Sequence, residues 1–466
     1  MSQAHASDCA PSAPVAPGAG RLAGVVLLAM TAAAAAEPAL RYRLEPGTCL
    51  VYEHRATVFA GSDTEAGTTR TSEVQVWCLQ RSGSGVLLLV VLAPPVEGQA
   101  APARSALLYV DENGRRRLPE ETITRLGAVD PALDILPMLP LTTAHLGAWT
   151  TPEDVFARRW RCTSRGPDPA QPDYEQVAFE LDDPAGVMEV LGQARSGQFW
   201  FDTEAGHVVR CAAETRDEQA GTRTHTSTTL RQRATRSATW AARRAEEAER
   251  YLRTLRHEDR LLGEVTNRPA ELTRTLQQLD QLWATFAADV DGRAGSPFAQ
   301  IAESRRQQLR ADAGVLRARA ALALRWLNQP ARTWSLQDAS GTAMTSERVR
   351  RGVVIECFWS ASTPDGLRVL EPLRRWTTEP GHPVVPVLCY NMDFNLAVAR
   401  RAIERCGSGL TQIIGGPLQD VEGLREFPVI RVVDGAGLVR GVWVGWDTTY
   451  AAARALAQRL ARESAP

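Results

Sequence analysis

Cysteine is the residue type in this chain with the most chemistry to offer, and its spacing narrows what that chemistry can be. The 466 residues include 8 cysteines. Cys9 stands near the start, Cys49, Cys78, Cys162 and Cys211 lie in the first half, and Cys357, Cys389 and Cys406 lie near the end. A thiolate exchanges with disulfides or ligates a soft metal, and either reaction needs a partner held close to it. The first-half four allow three pairings among themselves as disulfides, or they are apolar strand residues carrying free thiols. The late three are an odd set, so one of them stays free unless it bonds elsewhere. Cys357 falls in an apolar run and is expected to be enclosed. Cys389, near a strand end, and Cys406, near a helix end, form the pair that a helix packed over a strand would bring together as a redox site.

Other reactive groups give less. The 7 histidines are scattered, with neither a His-x-His nor a His-Glu-x-x-His spacing, so no metal site and no cofactor is expected. "DVDGRAG" at 289–295 starts like a calcium loop but lacks its later ligands, and reads as a helix-ending turn. No phosphate-cradling loop and no Gly-x-Ser-x-Gly elbow is present. A formal net charge of -1 excludes a general nucleic-acid binder, which needs a large basic surplus.

The elements that must position these groups fall into successive segments. Residues 1–36 hold Arg21, the apolar run Leu22–Met30 and small residues ending near Ala36, the pattern of a secretory signal peptide. The expected location is therefore the periplasm, with membrane association only if the signal stays uncleaved. The apolar stretch is shorter than the ~20 residues of a bilayer span, so no integral span is expected in the mature chain. Residues 37–234 read as β. "CLVYEHRATVFA", "SEVQVWCLQ", "GVLLLVVLA", "SALLYVDENG", "EQVAFELDD" and "GQFWFDTEAGHVVRCAAET" are short alternating runs divided by turns, as in an antiparallel sandwich or a curved sheet. The proline-interrupted "LDILPMLPLTTAHLGAW" reads as a loop across an edge or mouth. A concave face there offers an apolar ligand a seat, or is simply packed core.

Residues 236–329 switch to helical period. Three amphipathic helices are expected, the second capped by Asn267 with Leu272, Leu276, Leu279, Leu282 and Phe286 on one face, the third capped by Ser296. Residues 331–466 alternate strand and helix and end in a hairpin and a helix, an α/β arrangement with a mixed sheet. The fold class is thus multidomain: an all-β antiparallel part, a helical hairpin or bundle, and an α/β part.

The α/β segment resembles the thioredoxin-like superfamily, in particular its exported TlpA/ResA-like branch. Trp334, Leu336, Asp338 and Gly341 match an opening Phe-x-Leu-x-Asp-x-x-Gly, Phe358-Trp359 match the aromatic strand end, and Asp434 and Gly437 match the turn after a later strand. Pro428 matches the proline opposite the active site, which the resemblance implies is cis. The family's Ala-Ser-Trp-Cys-Pro-Pro-Cys turn corresponds to Ser360, Ala361, Ser362, Thr363, Pro364, Asp365 and Gly366. In the family the first cysteine sits at a helix start, which lowers its pKa, and the second resolves the mixed disulfide. Here Thr363 and Gly366 stand in those places, and neither an alcohol nor a bare α-carbon carries a two-electron couple. Thr363 or Ser362 is expected to cap the helix, with Pro364 and Asp365 in its first turn. The resemblance implies a retained polypeptide-binding face built from Trp359, Ser362, Thr363, Phe427 and Pro428, whose partner would be an envelope protein or peptide. The expectation is a redox-inactive interaction protein, with a thiol–disulfide oxidoreductase using Cys389 and Cys406 as its alternative.

Overall fold

Alternation governs the first half of the chain. In the computed structural model, residues 40–60, 67–83, 85–93, 103–119, 133–141, 147–154, 158–182, 193–218, 221–291, 295–378, 385–406, 409–445 and 450–464 are described. The expected signal at 1–36 lies outside the described residues. Strands β1 (Thr48–Ala60), β2 (Thr68–Ser82), β3 (Gly85–Leu92), β4 (Arg104–Asp111) and β5 (Arg116–Arg117) run outward as one half of an antiparallel sheet. Strands β6 (Ala148–Thr150), β7 (Arg159–Asp168), β8 (Gln171–Asp182), β9 (Gln193–Asp202), β10 (His207–Asp217) and β11 (Thr222–Thr235) run back inward, and β11 pairs with β1 to complete 11 strands. Because side chains alternate, each strand supplies two cores. Leu50, Tyr52, Val76, Leu88, Leu108, Phe199 and Phe201 pack on one face. The "LDILPML" segment, which lies between the edge strands β5 and β6, packs inward: Leu133, Ile135, Leu136 and Leu139 fill that same core. Cys49, Trp77, Leu87, Leu89 and Leu107 pack on the other face, under helices.

The helical segment has four α-helices among its described residues rather than the expected three. These are α1 (Ala238–Asn267), α2 (Leu272–Asp291), α3 (Pro297–Ala311) and α4 (Ala313–Trp326), the last two separated at Asp312. Ser237 caps α1 and Ser296 caps α3 through their hydroxyls. Leu279 and Phe286 are buried as the apolar stripe requires, with Trp283 fully buried between them. Asn267 does not cap α2. It ends α1, and its side-chain oxygen accepts the Val442 amide at 3.0 Å while the Thr266 hydroxyl donates to the Val442 carbonyl at 2.5 Å. An exposed strand edge has unpaired backbone groups to satisfy, and here a helix end satisfies them.

That edge belongs to a second, mixed sheet of β12 (Ser335–Asp338), β13 (Ala343–Thr345), β14 (Val354–Trp359), β15 (Val387–Asn391), β16 (Thr411–Ile414), β17 (Val429–Val433) and β18 (Val439–Val444). The spatial order is β13-β12-β16-β15-β14-β17-β18. Strands β14, β15 and β16 are parallel, while β17 and β18 form an antiparallel hairpin beside β14. Helices α5 (Pro364–Arg368) and α6 (Leu370–Thr378) cross from β14 to β15, α7 (Leu396–Cys406) crosses from β15 to β16, and α8 (Ala451–Glu463) follows β18. This is a thioredoxin-like arrangement: a parallel centre, a helix directly after the central strand, and a returning hairpin. Strand β16 was not legible as a strand in the sequence. Helix α4 covers one face of the sheet with Leu322, Ala323 and Trp326. Among the described residues no helix is long and apolar enough to cross a membrane.

Candidate functional site

Strand β14 leaves the middle of the sheet buried on both faces, and the chain turns at once into α5. The turn is wired by hydrogen bonds. The buried Ser360 hydroxyl donates to Asp393 Oδ1, while Ala361 N–H (2.9 Å) and the Asn391 side-chain amide (2.8 Å) both donate to Asp393 Oδ2. Ser360 Oγ also accepts the Ser362 amide at 3.1 Å, and the Ser362 hydroxyl lies 2.6 Å from it, so Ser362 is left to donate. Thr363 caps α5, its hydroxyl accepting the Gly366 amide at 3.2 Å. Pro364 and Asp365 fall in the first turn of that helix.

Gly366 leaves no room for a cysteine side chain at this position of the turn. A Cβ placed there would collide with the carbonyl oxygen of Ser360, with the Thr363 hydroxyl 2.7 Å and the Ser360 nitrogen 3.0 Å away. The conformation of the turn therefore requires a residue with no side chain at 366.

Around this turn the structure sorts the expected binding residues. The Phe427–Pro428 peptide is cis. Pro428 is buried and its carbonyl accepts the Gly445 amide at 2.8 Å, while Phe427 is half-buried. Ser362 is exposed and Thr363 half-buried. Trp359, expected on that face, does not reach the surface. It is 0% exposed, its indole N–H donating to Gln412 at 3.1 Å, so it supports the turn from beneath. The sequence reading missed two features: Asp393, which ties the turn to the end of β15, and the residues after it. Phe394 is 73% exposed and Leu396 44% exposed. The signal was available in "NMDFN", a polar turn with one aromatic and no apolar period to bury it.

Cys357 and Cys389 are register neighbours on β14 and β15, and both are fully buried. Burial pushes the Cys357 thiol well above its ordinary range, and the Cys389 thiol pushes it further. Among the described residues, the cysteine paired in register with Cys389 is Cys357. Cys406 closes α7, and its side chain lies outside the described residues. The first-half cysteines are free and buried. Cys49 faces the helices while Cys78, Cys162 and Cys211 face the opposite core. Cys162 sits between Trp149 and Phe179 and Cys211 between Phe199 and Thr228, so no cysteine is the register partner of either. Burial raises the Cys162 thiol to about 12 and the Cys49 thiol to about 12.

Beneath the turn, on the other face of β14, lies a buried ion cluster. Glu356 accepts from Arg350 Nε at 2.8 Å, Arg431 Nε at 2.5 Å and the Tyr390 hydroxyl at 2.5 Å. Arg431 also reaches Glu422 at 3.4 Å and lies 4.8 Å from the ring centres of both Trp326 and Phe358. Burial raises the Glu356 carboxyl, but Arg431 and Arg350 outweigh it and hold the group below the usual glutamate range.

The turn has the Thr363 hydroxyl and the bare α-carbon of Gly366 three residues apart, and commits the Thr363 hydroxyl to the backbone and the Ser360 hydroxyl to Asp393. Its solvent-facing part offers Ser362 and exposed apolar side chains rather than a nucleophile activated by a base. His382, the histidine nearest in sequence, lies outside the described residues. No group of three or more His, Cys, Asp or Glu side chains suited to a metal gathers among the described residues.

No family model and no curated protein matches the chain. Solved structures similar to part of the chain include a thiol:disulfide interchange protein DsbE from Chlorobium tepidum, at 16% identity and TM-score 0.26 over 28% of this chain and 96% of that one. The thioredoxin domain of thiol-disulfide oxidoreductase BVU-2223 from Bacteroides vulgatus matches at 16% identity and TM-score 0.26, over 28% and 97%. StoA from Bacillus subtilis matches at 15% identity and TM-score 0.24, over 27% and 97%.

Proposed function

We propose that this chain is a thioredoxin-like interaction protein of the cell envelope that binds polypeptide without thiol–disulfide chemistry. The observation that carries the reading is the turn itself: Thr363 is spent as a helix cap, and Gly366 stands where a Cβ would strike the Ser360 carbonyl. What faces solvent beside it is Ser362, Phe394 and part of Phe427. A half-exposed aromatic next to a fixed turn is the type of anchor on which peptide binding concentrates. In this reading residues 37–234 and 236–329 are the platform and arm that present residues 331–466 to the partner. Export rests on the signal pattern at 1–36, which N-terminal sequencing of the mature protein tests.

Two measurements decide the function. The full chain should reduce insulin no faster than buffer. Binding of a fluorescent peptide library should weaken at least about tenfold in Phe394→Ala and in Phe427→Ala, as for loss of an aromatic anchor. Insulin turnover that disappears in Cys389→Ala or Cys406→Ala would sink the redox-inactive reading, and unchanged peptide affinity in both aromatic variants would sink the binding face. Gly366→Cys is expected to destabilise the chain by about 1–3 kcal/mol, the range for overpacking a closed site.

A further inference from the structure

Two buried thiols at register-paired positions in the centre of a sheet are a chemical site that the turn does not use. Cys357 and Cys389 face the same apolar layer, with Ile355, Trp359, Val369, Leu373, Val387 and Ile430. Adjacent strands run about 4.8 Å apart, so the Cα atoms of register partners fall within the roughly 4.4–6.8 Å that a disulfide spans. No other cysteine is a register neighbour of either one. On the far side of Cys389 its register partner is Gln412, whose amide nitrogen is buried without a hydrogen-bond partner.

We propose that Cys357 and Cys389 are a modification site: they form a disulfide that joins β14 to β15 when the chain folds in the presence of a disulfide oxidant. The step is ordinary exchange. One thiol loses its proton and attacks the oxidant disulfide, giving a mixed disulfide and releasing one oxidant thiolate. The other cysteine then attacks the protein sulfur, forming the intramolecular bond and releasing the second thiolate. Two electrons pass to the oxidant and two protons to solvent. Both sulfurs are fully enclosed in the folded chain, so neither step is open to it, and the bond is set before the core closes. For the same reason external reductants do not reach it afterwards. The bond closes the loop that contains the turn and helices α5 and α6, and so restrains the segment that carries the candidate site.

The test is to refold the full chain from denaturant with glutathione disulfide or with dithiothreitol, then map peptides without reduction. Where refolding fails, expression in an oxidising and in a reducing compartment supplies the same pair. The expected result is a Cys357–Cys389 link in the oxidised sample, a higher Tm than the reduced sample, and no Tm difference in Cys357→Ala/Cys389→Ala. The reduced, folded protein should stay reduced when given glutathione disulfide. Recovery of both thiols free, of glutathione adducts alone, or of a link through another cysteine would overturn the proposal. Rapid oxidation of the folded protein would overturn the ordering of events. None of these outcomes depends on insulin reduction or peptide binding, so the site stands or falls apart from the function proposed above.

Discussion

The two faces of β14 are buried equally and are built on opposite terms. On one face Ile355, Cys357 and Trp359 enter an apolar layer with α6 and α8. On the other, Val354 and Phe358 flank Glu356, which sits among Arg350, Arg431 and Tyr390 under Trp326 of α4. An apolar layer is stabilised by the sum of many small contacts, so its losses scale with the atoms removed. A buried ion cluster is held by mutual compensation: each charge costs several kcal/mol to desolvate and is tolerable only while its partners remain. The same strand should therefore degrade gradually from one side and abruptly from the other.

The sharpest way to break that contrast is Glu356→Gln. Removing the carboxylate that Arg350 and Arg431 share leaves Arg431 only its longer contact to Glu422 at 3.4 Å, and about 3–5 kcal/mol of stability should be lost in urea unfolding. The pH dependence has a definite sign. The folded Glu356 carboxyl is held below its unfolded value, so the unfolded state binds the proton more readily. Its contribution is complete above the ordinary glutamate range and is lost as pH falls through the folded value. Wild type should thus lose stability on acidification by more than Glu356→Gln does. Equal acid sensitivity of the two would show that the cluster is not what holds this face.

How much of this the sequence disclosed depends on whether a feature is periodic or pairwise. The alternation of β1–β4, the helix cap at Ser296, and the Phe358-Trp359 strand end were legible because they are local patterns. Thr363 as cap was legible for the same reason. The ion cluster was not, although its signal is visible afterwards: Glu356 in "VVIECFW" and Arg431 in "PVIRVV" are each the lone charge in an apolar strand, and two such anomalies require each other. The meeting of Cys357 with Cys389 was illegible because parallel register is fixed by the crossover, not by spacing. Strand β16 was missed because four residues, "TQII", carry too little period to announce a strand. Asn267 was misassigned because its partner, the amide of Val442, lies in a distant strand.

A middle-sized test isolates one hydrogen bond within the charged face. Tyr390 donates to Glu356 at 2.5 Å and stacks on Phe358, with ring centres 4.8 Å apart. Tyr390→Phe keeps the ring and removes only the hydroxyl. Since the acceptor is charged, about 1.5–3 kcal/mol should be lost. A double-mutant cycle with Glu356→Gln should give strong coupling, because once the carboxylate is gone the hydroxyl has little left to stabilise.

The smallest effect should come from the apolar face, and its size is what gives the comparison its meaning. Cys357→Ala deletes one buried heavy atom from a layer that also contains Ile355, Val369, Leu373 and Ile430. In the reduced protein the loss should be about 1 kcal/mol, as for removing one methyl-sized group from a core. Its effect should add to that of Tyr390→Phe, since the two side chains lie on opposite faces of the sheet and share no partner. Additivity measured by urea unfolding would show that β14 separates its faces energetically as well as geometrically. Coupling above about 0.5 kcal/mol would mean that the strand backbone transmits strain between them, and that the charged cluster and the thiol layer behave as one core.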